Sequence, residues 1–373
     1  MSVRKREWTT RSGEQREAWV VDYSDQEGTR VLKTYARKKD ADAYHDTVRQ
    51  DVRRGVHTTP AKSPTVSEAA DAWIKRVEAE GRERGTLAQY RQHVNLHIAP
   101  RLGRVKLAHL TPARVEGFRD DLLAGMSRPM ARKVLTSLKS LLKAAGYFHV
   151  AVNVSISRDT RKRRLEVGRD IPEPREIGRL IAATKDNPRM HALLLTTALC
   201  GPRASELRGL RWSDVDFKTS ELRIHQRADR YNAIGLPKSS AGTRTIPLAP
   251  EVVAALRVWK LACPPGELVF PTTTGAAMYH RSMLDSLHTV MIAAGVVRGK
   301  QPKYGLHALR HFFASWCINP KSRGGRELPA KEVQTLLGHS SVVMTLDIYG
   351  HLFPRGDDRA ELAAASGALL SAT

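Results

Sequence analysis

The sequence has few of the features that mark secreted, membrane or metal-binding proteins. Only three cysteines occur in 373 residues, Cys200, Cys263 and Cys317, and none forms a CxxC pair. We therefore expect a reducing cytoplasm, no structural zinc site and three small buried thiols. No run of about 18 apolar residues is present. Because the N-terminus also lacks a signal-peptide pattern, we expect neither a membrane-spanning nor a secreted protein.

Acidic residues are scarce relative to basic ones. The chain has 38 Asp and Glu against 61 Lys and Arg, which gives a formal charge of +23 and a pI near 10.3. This surplus predicts affinity for a polyanion and strong salt dependence. DNA is the natural candidate, although RNA and an anionic membrane surface would satisfy the charge alone. The sequence shows no cluster of carboxylates, which agrees with chemistry that needs no metal.

Two short motifs place a guanidinium beside another polar group at helical spacing. Arg203 and Glu206 are three residues apart, so the carboxylate can hold the guanidinium in place. His307 and Arg310 have the same spacing, and the two guanidinium groups can converge on one anion. Guanidinium groups stay charged at physiological pH and bind phosphate oxygens in pairs, so they could stabilise a phosphorane without a metal. An isolated Arg–Glu pair is more often a surface ion pair of little energetic effect.

Three further residues complete a candidate site for phosphoryl transfer. An apolar helical run ends at a glycine just before His339, which would therefore lie at a helix junction. Tyr349 ends a short helical pattern, and a phenol with a pKa of about 10 needs a base or positive charge to become a nucleophile. Lys238 lies between two predicted strands, where a lysine at a hairpin tip can act as a general acid. Alone, Tyr349 is more often a core aromatic, and its chemistry does not exclude Tyr279 or Tyr304.

The ordered set of motifs resembles the tyrosine recombinases, also called the phage integrase family. The resemblance rests on GxRxxEL at 201–207, the hairpin lysine, HxLRH at 307–311, LGHSS at 337–341, and Tyr349 followed by Gly-His. Single fragments have little specificity, whereas their order is highly specific. By this resemblance the chain has an α+β, mainly helical, multidomain fold.

The resemblance also implies a role for each site residue. Tyr349 would attack a DNA phosphodiester, form a 3′-phosphotyrosyl bond and release a 5′-hydroxyl. The pentavalent phosphorane would be stabilised by Arg203, Arg310, His307 and His339. His307 would also take the tyrosine proton, and Lys238 would protonate the leaving oxygen. Glu206 would act through the residues that contact the phosphate and would not contact it itself. Because the phosphotyrosine link keeps the bond energy, no cofactor is expected.

Residues 1–58 are predicted to form a small three-stranded sheet with one helix. Strands are indicated at 7–10, 19–23 and 30–35, and a helix opens at Arg37 and runs to about Arg54. This segment resembles the arm-type DNA-binding domain of many integrases, and its sheet could enter a major groove. Candidate DNA contacts are Arg37, Lys38 and Lys39, together with Arg161, Lys162, Arg163 and Arg164 in a basic linker. For the linker, a solvated charge run is an equally good interpretation.

The remaining chain is predicted to form two further domains. Residues 65–155 show helical patterns at 65–77, 86–97, 111–124 and 128–145 and resemble the family's helical core-binding domain. Residues 171–373 would be the catalytic domain, mostly α-helical with a β-hairpin around Lys238. A terminal helix at 357–370 would pack either on its own domain or on a neighbouring protomer.

The predicted function is site-specific DNA recombination by an integrase that integrates and excises a phage or mobile-element genome. A Xer-like chromosome dimer resolvase, a transposase of the same family, a type IB topoisomerase and a non-catalytic DNA-binding repressor are the alternatives. Expected partners are double-stranded attachment sites of core and arm type and a homotetramer assembled on DNA. An accessory DNA-bending protein and an excisionase are family expectations, and no membrane partner is expected. The protein would act on the nucleoid in the cytoplasm of a bacterial host.

Overall fold

The computed structural model describes residues 1–10, 13–24, 28, 30–53, 63–157, 164–353 and 358–371. The chain divides into two compact units, Met1–Thr160 and Arg161–Thr373. Among these described residues, the first unit holds two separate hydrophobic cores, and the second holds a large core and a smaller one. The fold is mixed α+β and mostly helical, so the predicted fold class is confirmed. The three-domain division remains a prediction.

The N-terminal segment forms an antiparallel sheet with one helix. Its elements are β1 (Ser2–Thr9), β2 (Gln15–Ser24), β3 (Arg30–Tyr35) and α1 (Lys38–Arg53). The strand order is β1-β2-β3, and β2 contributes the buried Val21 and Tyr23, against which Ala41 and Val48 of α1 pack. The first strand begins five residues earlier than predicted, because the long β2 pairs with it as far as Ser2 opposite Asp22.

The helical part of the first unit follows the predicted pattern closely. Its helices are α2 (Val66–Ala79), α3 (Arg84–His93), α4 (Ala99–Leu102), α5 (Pro112–Gly125) and α6 (Arg128–Ala144). A π-helical turn at Val94–Ile98 joins α3 to α4, where a single helix was expected. Thr65 caps α2 in a reciprocal box with Glu68, and Thr111 caps α5 ahead of a proline, so local sequence sets both starts.

The second unit is built mainly from helices around one large core. They are α7 (Pro174–Ala182), α8 (Pro188–Cys200), α9 (Ala204–Gly209), α10 (Pro250–Ala262), α11 (His280–Ala293), α12 (Leu306–Ile318), α13 (Ala330–Leu337), α14 (Val342–Tyr349) and α15 (Asp358–Leu370). Helix α8 is buried along most of its length and packs against α10 and α12. An all-round apolar helix of this kind fixes the positions of its neighbours.

Short strands complete the second unit. They are β4 (Val215–Asp216), β5 (Glu221–Ile224), β6 (Arg227–Ala228), β7 (Ile234–Gly235), β8 (Arg244–Pro247), β9 (Val297–Arg298) and β10 (Gln301–Pro302). The predicted hairpin is present as antiparallel β5 and β8, and a smaller β6–β7 ribbon lies between them in the chain. Among the described helices none has the length and apolar character needed to cross a bilayer.

Candidate active site

Arg203 and Glu206 meet at the junction between α8 and α9. Helix α8 ends at Gly201 in the left-handed conformation, with φ of 59°, and Arg203 then occupies the position just before α9. The Glu206 carboxylate accepts from the Arg203 backbone N–H at 2.8 Å and from its guanidinium Nη1 at 2.7 Å. The expected contact is therefore present, but Arg203 precedes the helix rather than lying within it.

Arg244 is a buried cation that the sequence reasoning missed. Its Nη2 donates to Glu206 Oε2 at 2.8 Å and its Nε to the Leu336 carbonyl at 2.7 Å. The residue lies in β8, where alternate positions point inward, and Ile246 is the next inward residue. An arginine at an inward position of a predicted strand was the available signal, because a buried cation requires a partner.

The carboxylate of Glu206 is held ionised by its two arginines. Burial opposes ionisation, but the hydrogen bond and charge of Arg244, together with those of Arg203, lower the pKa of Glu206 to about 2. The side chains of Glu206 and Arg244 are each 2% exposed, so their pairing is largely protected from solvent. Glu206 thus acts as the fixed anion that holds two guanidinium groups in place.

Backbone carbonyls at helix ends accept further hydrogen bonds from Arg310 and Arg203. Arg310, on α12, donates through Nη1 to the Gly201 carbonyl at 2.7 Å and through Nη2 to the Leu337 carbonyl. Arg203 Nη2 donates to the Gly338 carbonyl at 2.9 Å. The last carbonyls of a helix have no intrahelical partner and carry partial negative charge, so they suit arginine donors. Burial and the nearby Arg203 and Arg244 lower the pKa of Arg310 to about 9, which leaves it charged at neutral pH.

His339 lies where α13 gives way to α14, as predicted. Gly338 before it adopts φ of 63°, and a Cβ there would press on the Ala241 carbonyl at 2.8 Å. His339 Nδ1 hydrogen-bonds Thr345 Oγ1 at 2.9 Å, and its ring stacks on that of Tyr349 with centroids 6.4 Å apart. Burial and the charges of Arg310 and Arg203 lower the pKa of His339 to about 4.

Tyr349 is buried at the end of α14 and points its hydroxyl at an imidazole. The residue is 1% exposed, and burial raises the pKa of its phenol to about 12, although Arg310 and Arg203 act in the opposite direction. The hydroxyl lies 2.7 Å from Nδ1 of His311. The expected proton acceptor, His307, does not make this contact; its ring instead lies 4.6 Å, between centroids, from that of His311.

His307 itself lies at the surface of the site. It is exposed, yet partial desolvation and the charges of Arg310 and Arg203 still lower its pKa. Residues four apart on a helix share one face, so His307 and His311 were equally placed by spacing alone. Helix α14 packs on α13, and in this position its Tyr349 hydroxyl reaches His311.

Lys238 lines a small cavity next to the arginines. It does not lie at the tip of the hairpin as expected but on the return from β7 to β8, and its side chain is exposed. The cavity has a volume of about 170 Å³ and is lined by Arg203, Ser205, Glu206, Arg227, Pro237, Lys238, Ser239 and Gly242. Arg227 is a further cation that the sequence reasoning missed. The cavity is large enough for a phosphate group and is bordered by three cations.

Of the predicted DNA-contact residues, the structure describes Arg37, Lys38, Lys39 and Arg164. Arg37, Lys38 and Lys39 are exposed where α1 begins, and the guanidinium of Arg37 pairs with Asp40 at 2.8 Å. Arg164 is exposed, while Arg161, Lys162 and Arg163 lie outside the described residues. Within the described ranges no group of three or more His, Cys, Asp or Glu side chains is arranged to hold a metal ion.

The chain resembles known recombinases along most of its length. The phage integrase family matches residues 173–355. A XerC-like tyrosine recombinase of Caldanaerobacter subterraneus subsp. tengcongensis is 24% identical over 372 residues, covering 89% of this chain and 90% of the relative. A putative prophage phiRv2 integrase of Mycobacterium tuberculosis is 27% identical over 364 residues, covering 93% and 91%.

Solved structures share the fold at low identity. The Tn1549 transposon integrase, solved with a circular intermediate DNA, gives a TM-score of 0.63 at 19% identity, covering 81% of this chain and 100% of that one. A lambda integrase tetramer bound to a Holliday junction gives 0.57 at 17% identity, covering 93% and 94%. The family match spans the whole cluster from Arg203 to Tyr349. This chain therefore belongs to the phage integrase family and is a tyrosine recombinase, an enzyme that cleaves and rejoins DNA.

Proposed function

We propose that this recombinase integrates and excises a phage or mobile-element genome, using Tyr349 as the nucleophile. The observation that carries the proposal is a charge imbalance around a buried phenol. Two guanidinium groups, those of Arg203 and Arg244, share the carboxylate of Glu206, whereas the guanidinium of Arg310 donates to helix-end carbonyls. Such a cluster favours an incoming anion, and a DNA phosphodiester supplies one.

The proposed reaction needs no energy-rich cofactor. The Tyr349 oxygen bonds to phosphorus, the bond from phosphorus to the 5′-oxygen breaks, and Lys238 protonates that oxygen. Arg203, Arg310, His307 and His339 would stabilise the charge of the phosphorane, with Glu206 holding Arg203. The reverse reaction on another strand's 5′-hydroxyl rejoins DNA. Two such rounds exchange both strands through a Holliday junction, the kind of DNA to which the lambda integrase tetramer is bound in its solved structure.

The architecture supports an integrase with several DNA-binding parts. Separate hydrophobic cores in the N-terminal sheet and the helical segment are compatible with an arm-binding domain at 1–58 and a core-binding domain at 65–155. Arg37, Lys38 and Lys39 are exposed and could contact arm-type DNA. We expect a homotetramer on attachment sites, with an accessory bending protein and an excisionase. The three free thiols would suit a bacterial cytoplasm, where the enzyme would act on nucleoid DNA.

A Xer-like resolvase is the second candidate, because one relative is named XerC-like. The N-terminal sheet discriminates between the two functions. Deleting the N-terminal segment should abolish integration of an arm-bearing attachment site while sparing cleavage at the core site. Unchanged integration would favour the Xer-like function.

Covalent capture tests the proposed chemistry directly. The protein is incubated with nicked duplexes that carry a randomised segment, so that the released 5′-end diffuses away and the adduct accumulates. Denatured adducts are isolated, their DNA is sequenced and the modified residue is identified by mass spectrometry. We expect a defined core sequence joined to Tyr349, and no adduct but retained DNA binding for Tyr349→Phe. An undiminished adduct in that variant would refute the nucleophile assignment.

A further inference from the structure

His311 is the imidazole that contacts the tyrosine oxygen. Its Nδ1 lies 2.7 Å from the hydroxyl of Tyr349, and the two rings meet edge-on, with centroids 5.7 Å apart. His339 stacks on the same tyrosine, but its Nδ1 is engaged by Thr345 Oγ1. A group that removes a proton must lie within hydrogen-bond distance of that proton. Among the described imidazoles near Tyr349, His311 meets this requirement.

Burial and, secondarily, neighbouring charges keep His311 neutral in the free protein. Burial lowers the pKa of His311 to about 4, with further lowering by His307 and Arg310, while Asp170 acts in the opposite direction. A neutral imidazole leaves one ring nitrogen free to accept a hydrogen bond. Since the phenol keeps its proton at neutral pH, the consistent arrangement has the Tyr349 hydroxyl donating to Nδ1. The proton on the ring is then on Nε2.

We propose that His311 accepts the phenolic proton when Tyr349 attacks phosphorus, a step that the resemblance alone had assigned to His307. The inference rests on the proposed function, because it concerns the same cleavage reaction. The bond from the tyrosine oxygen to phosphorus forms as the O–H bond breaks and the proton passes to Nδ1. The bond from phosphorus to the 5′-oxygen breaks, and that oxygen takes a proton from Lys238. In the rejoining step His311 returns its proton to the phenolic oxygen.

DNA binding would make His311 a better proton acceptor. With no anion in the site, the cations beside His311 oppose a positive imidazolium, so Tyr349 stays protonated and unreactive. A bound phosphodiester brings negative charge next to those cations and favours the imidazolium form. Asp170 already contributes in the same direction. Proton removal is thereby linked to occupation of the site, and the buried tyrosine is protected from other reactions.

Paired substitutions distinguish a proton acceptor from a structural residue. His311→Asn keeps an oxygen near the Nδ1 position but cannot take the proton, and His311→Ala removes the ring. On the duplex recovered by covalent capture, we expect each to slow single-turnover cleavage about 10²- to 10⁴-fold while retaining DNA binding. Added imidazole should restore part of the rate to His311→Ala. The wild-type rate should fall at acid pH as His311 protonates, and this acidic limb should be absent in His311→Asn.

His307→Asn is the matched control on the same helix face. As a proposed phosphate contact it should also slow cleavage, but it should retain the acidic limb, and imidazole should not rescue His307→Ala. Full-rate cleavage by His311→Asn, or imidazole rescue of His307→Ala instead of His311→Ala, would overturn this inference and leave the proposed function standing. Absence of any wild-type adduct would overturn the proposed function and this inference with it.

Nitrogen NMR provides a test without DNA. In protein labelled at its histidines, the spectrum of His311 at neutral pH should show an unprotonated Nδ1 whose chemical shift changes in Tyr349→Phe. A protonated Nδ1 would mean that the ring donates to the phenol, and the proposed proton transfer would be wrong.

Discussion

Replacing Glu206 with glutamine removes the one carboxylate shared by two site arginines while keeping the shape of the side chain. Arg203 and Arg244 both bind it, and Arg244 is almost fully buried. The variant therefore leaves a buried guanidinium beside a second cation without the carboxylate that binds both of them in the wild type. Uncompensated buried charge of this kind is strongly destabilising, by about 3–5 kcal/mol.

The pKa of Glu206 gives a consistent magnitude and a pH dependence. Its folded-state pKa of about 2 lies below the ordinary value of 4.5. At about 1.4 kcal/mol per unit of pKa, this difference corresponds to about 3 kcal/mol of stability. Because the folded pKa is the lower one, the stabilisation is complete above pH 4.5 and is lost as the pH falls toward 2. Wild type and Glu206→Gln should therefore differ most at neutral pH and converge in acid.

Unfolding in urea, monitored by the hydrogen exchange of individual peptides, measures this difference in unfolding free energy within the second unit. Peptides from residues 204–209 and 330–337 report α9 and α13, and the unfolding free energy is compared at neutral and acid pH. Asp285→Asn is the control, because it removes an exposed ion pair with Arg281 and should cost less than about 1 kcal/mol. A neutral-pH loss for Glu206→Gln no larger than that of the control would refute the reasoning. A gap that persists unchanged in acid would refute its electrostatic cause.

The geometry of the site, its independence of metal and its positive charge can each be tested. Arg244→Lys should slow single-turnover cleavage about 10- to 100-fold with little change in DNA affinity, because a small displacement of the site residues lowers the rate of the chemical step more than it lowers binding. An unchanged rate would contradict this. Gly201→Ala should destabilise the packing of α8 and α12. The left-handed φ costs an alanine about 1–2 kcal/mol, and the contact of its Cβ with Phe313 costs about 1–3 kcal/mol. A calorimetric Tm equal to that of the wild type would disprove this. Cleavage should survive EDTA, and its abolition by the chelator would contradict a metal-free reaction. DNA affinity measured by fluorescence anisotropy should fall linearly on a log–log plot against salt, and a flat response would exclude charge-driven binding.

Much of the site could be predicted because short motifs act through local geometry. The spacing of Arg203 and Glu206 allowed their contact, and it is present at 2.7 Å. The glycine before His339 was expected to end a helix, and Gly338 does so with φ of 63°. These features depend on a few consecutive residues and on backbone preferences, so they need no knowledge of distant parts of the chain.

Contacts between distant segments were beyond this reasoning. Arg244 and Glu206 are separated by 38 residues and Tyr349 and His311 by the same number, so no periodic pattern relates them. Lys238 was placed at a hairpin tip because the β6–β7 ribbon between β5 and β8 was not recognised. That ribbon is only two residues long on each side, too short for a clear alternating pattern.

The order of arginines, imidazoles, a lysine and a tyrosine in a basic chain is enough to indicate phosphoryl transfer. Which of these groups are in contact depends on how the helices pack. His307 and His311 share one face of α12, and the placement of α14 on α13 brings the Tyr349 hydroxyl to His311. Side-chain spacing fixes which residues share a face, whereas the arrangement of helices fixes what that face meets.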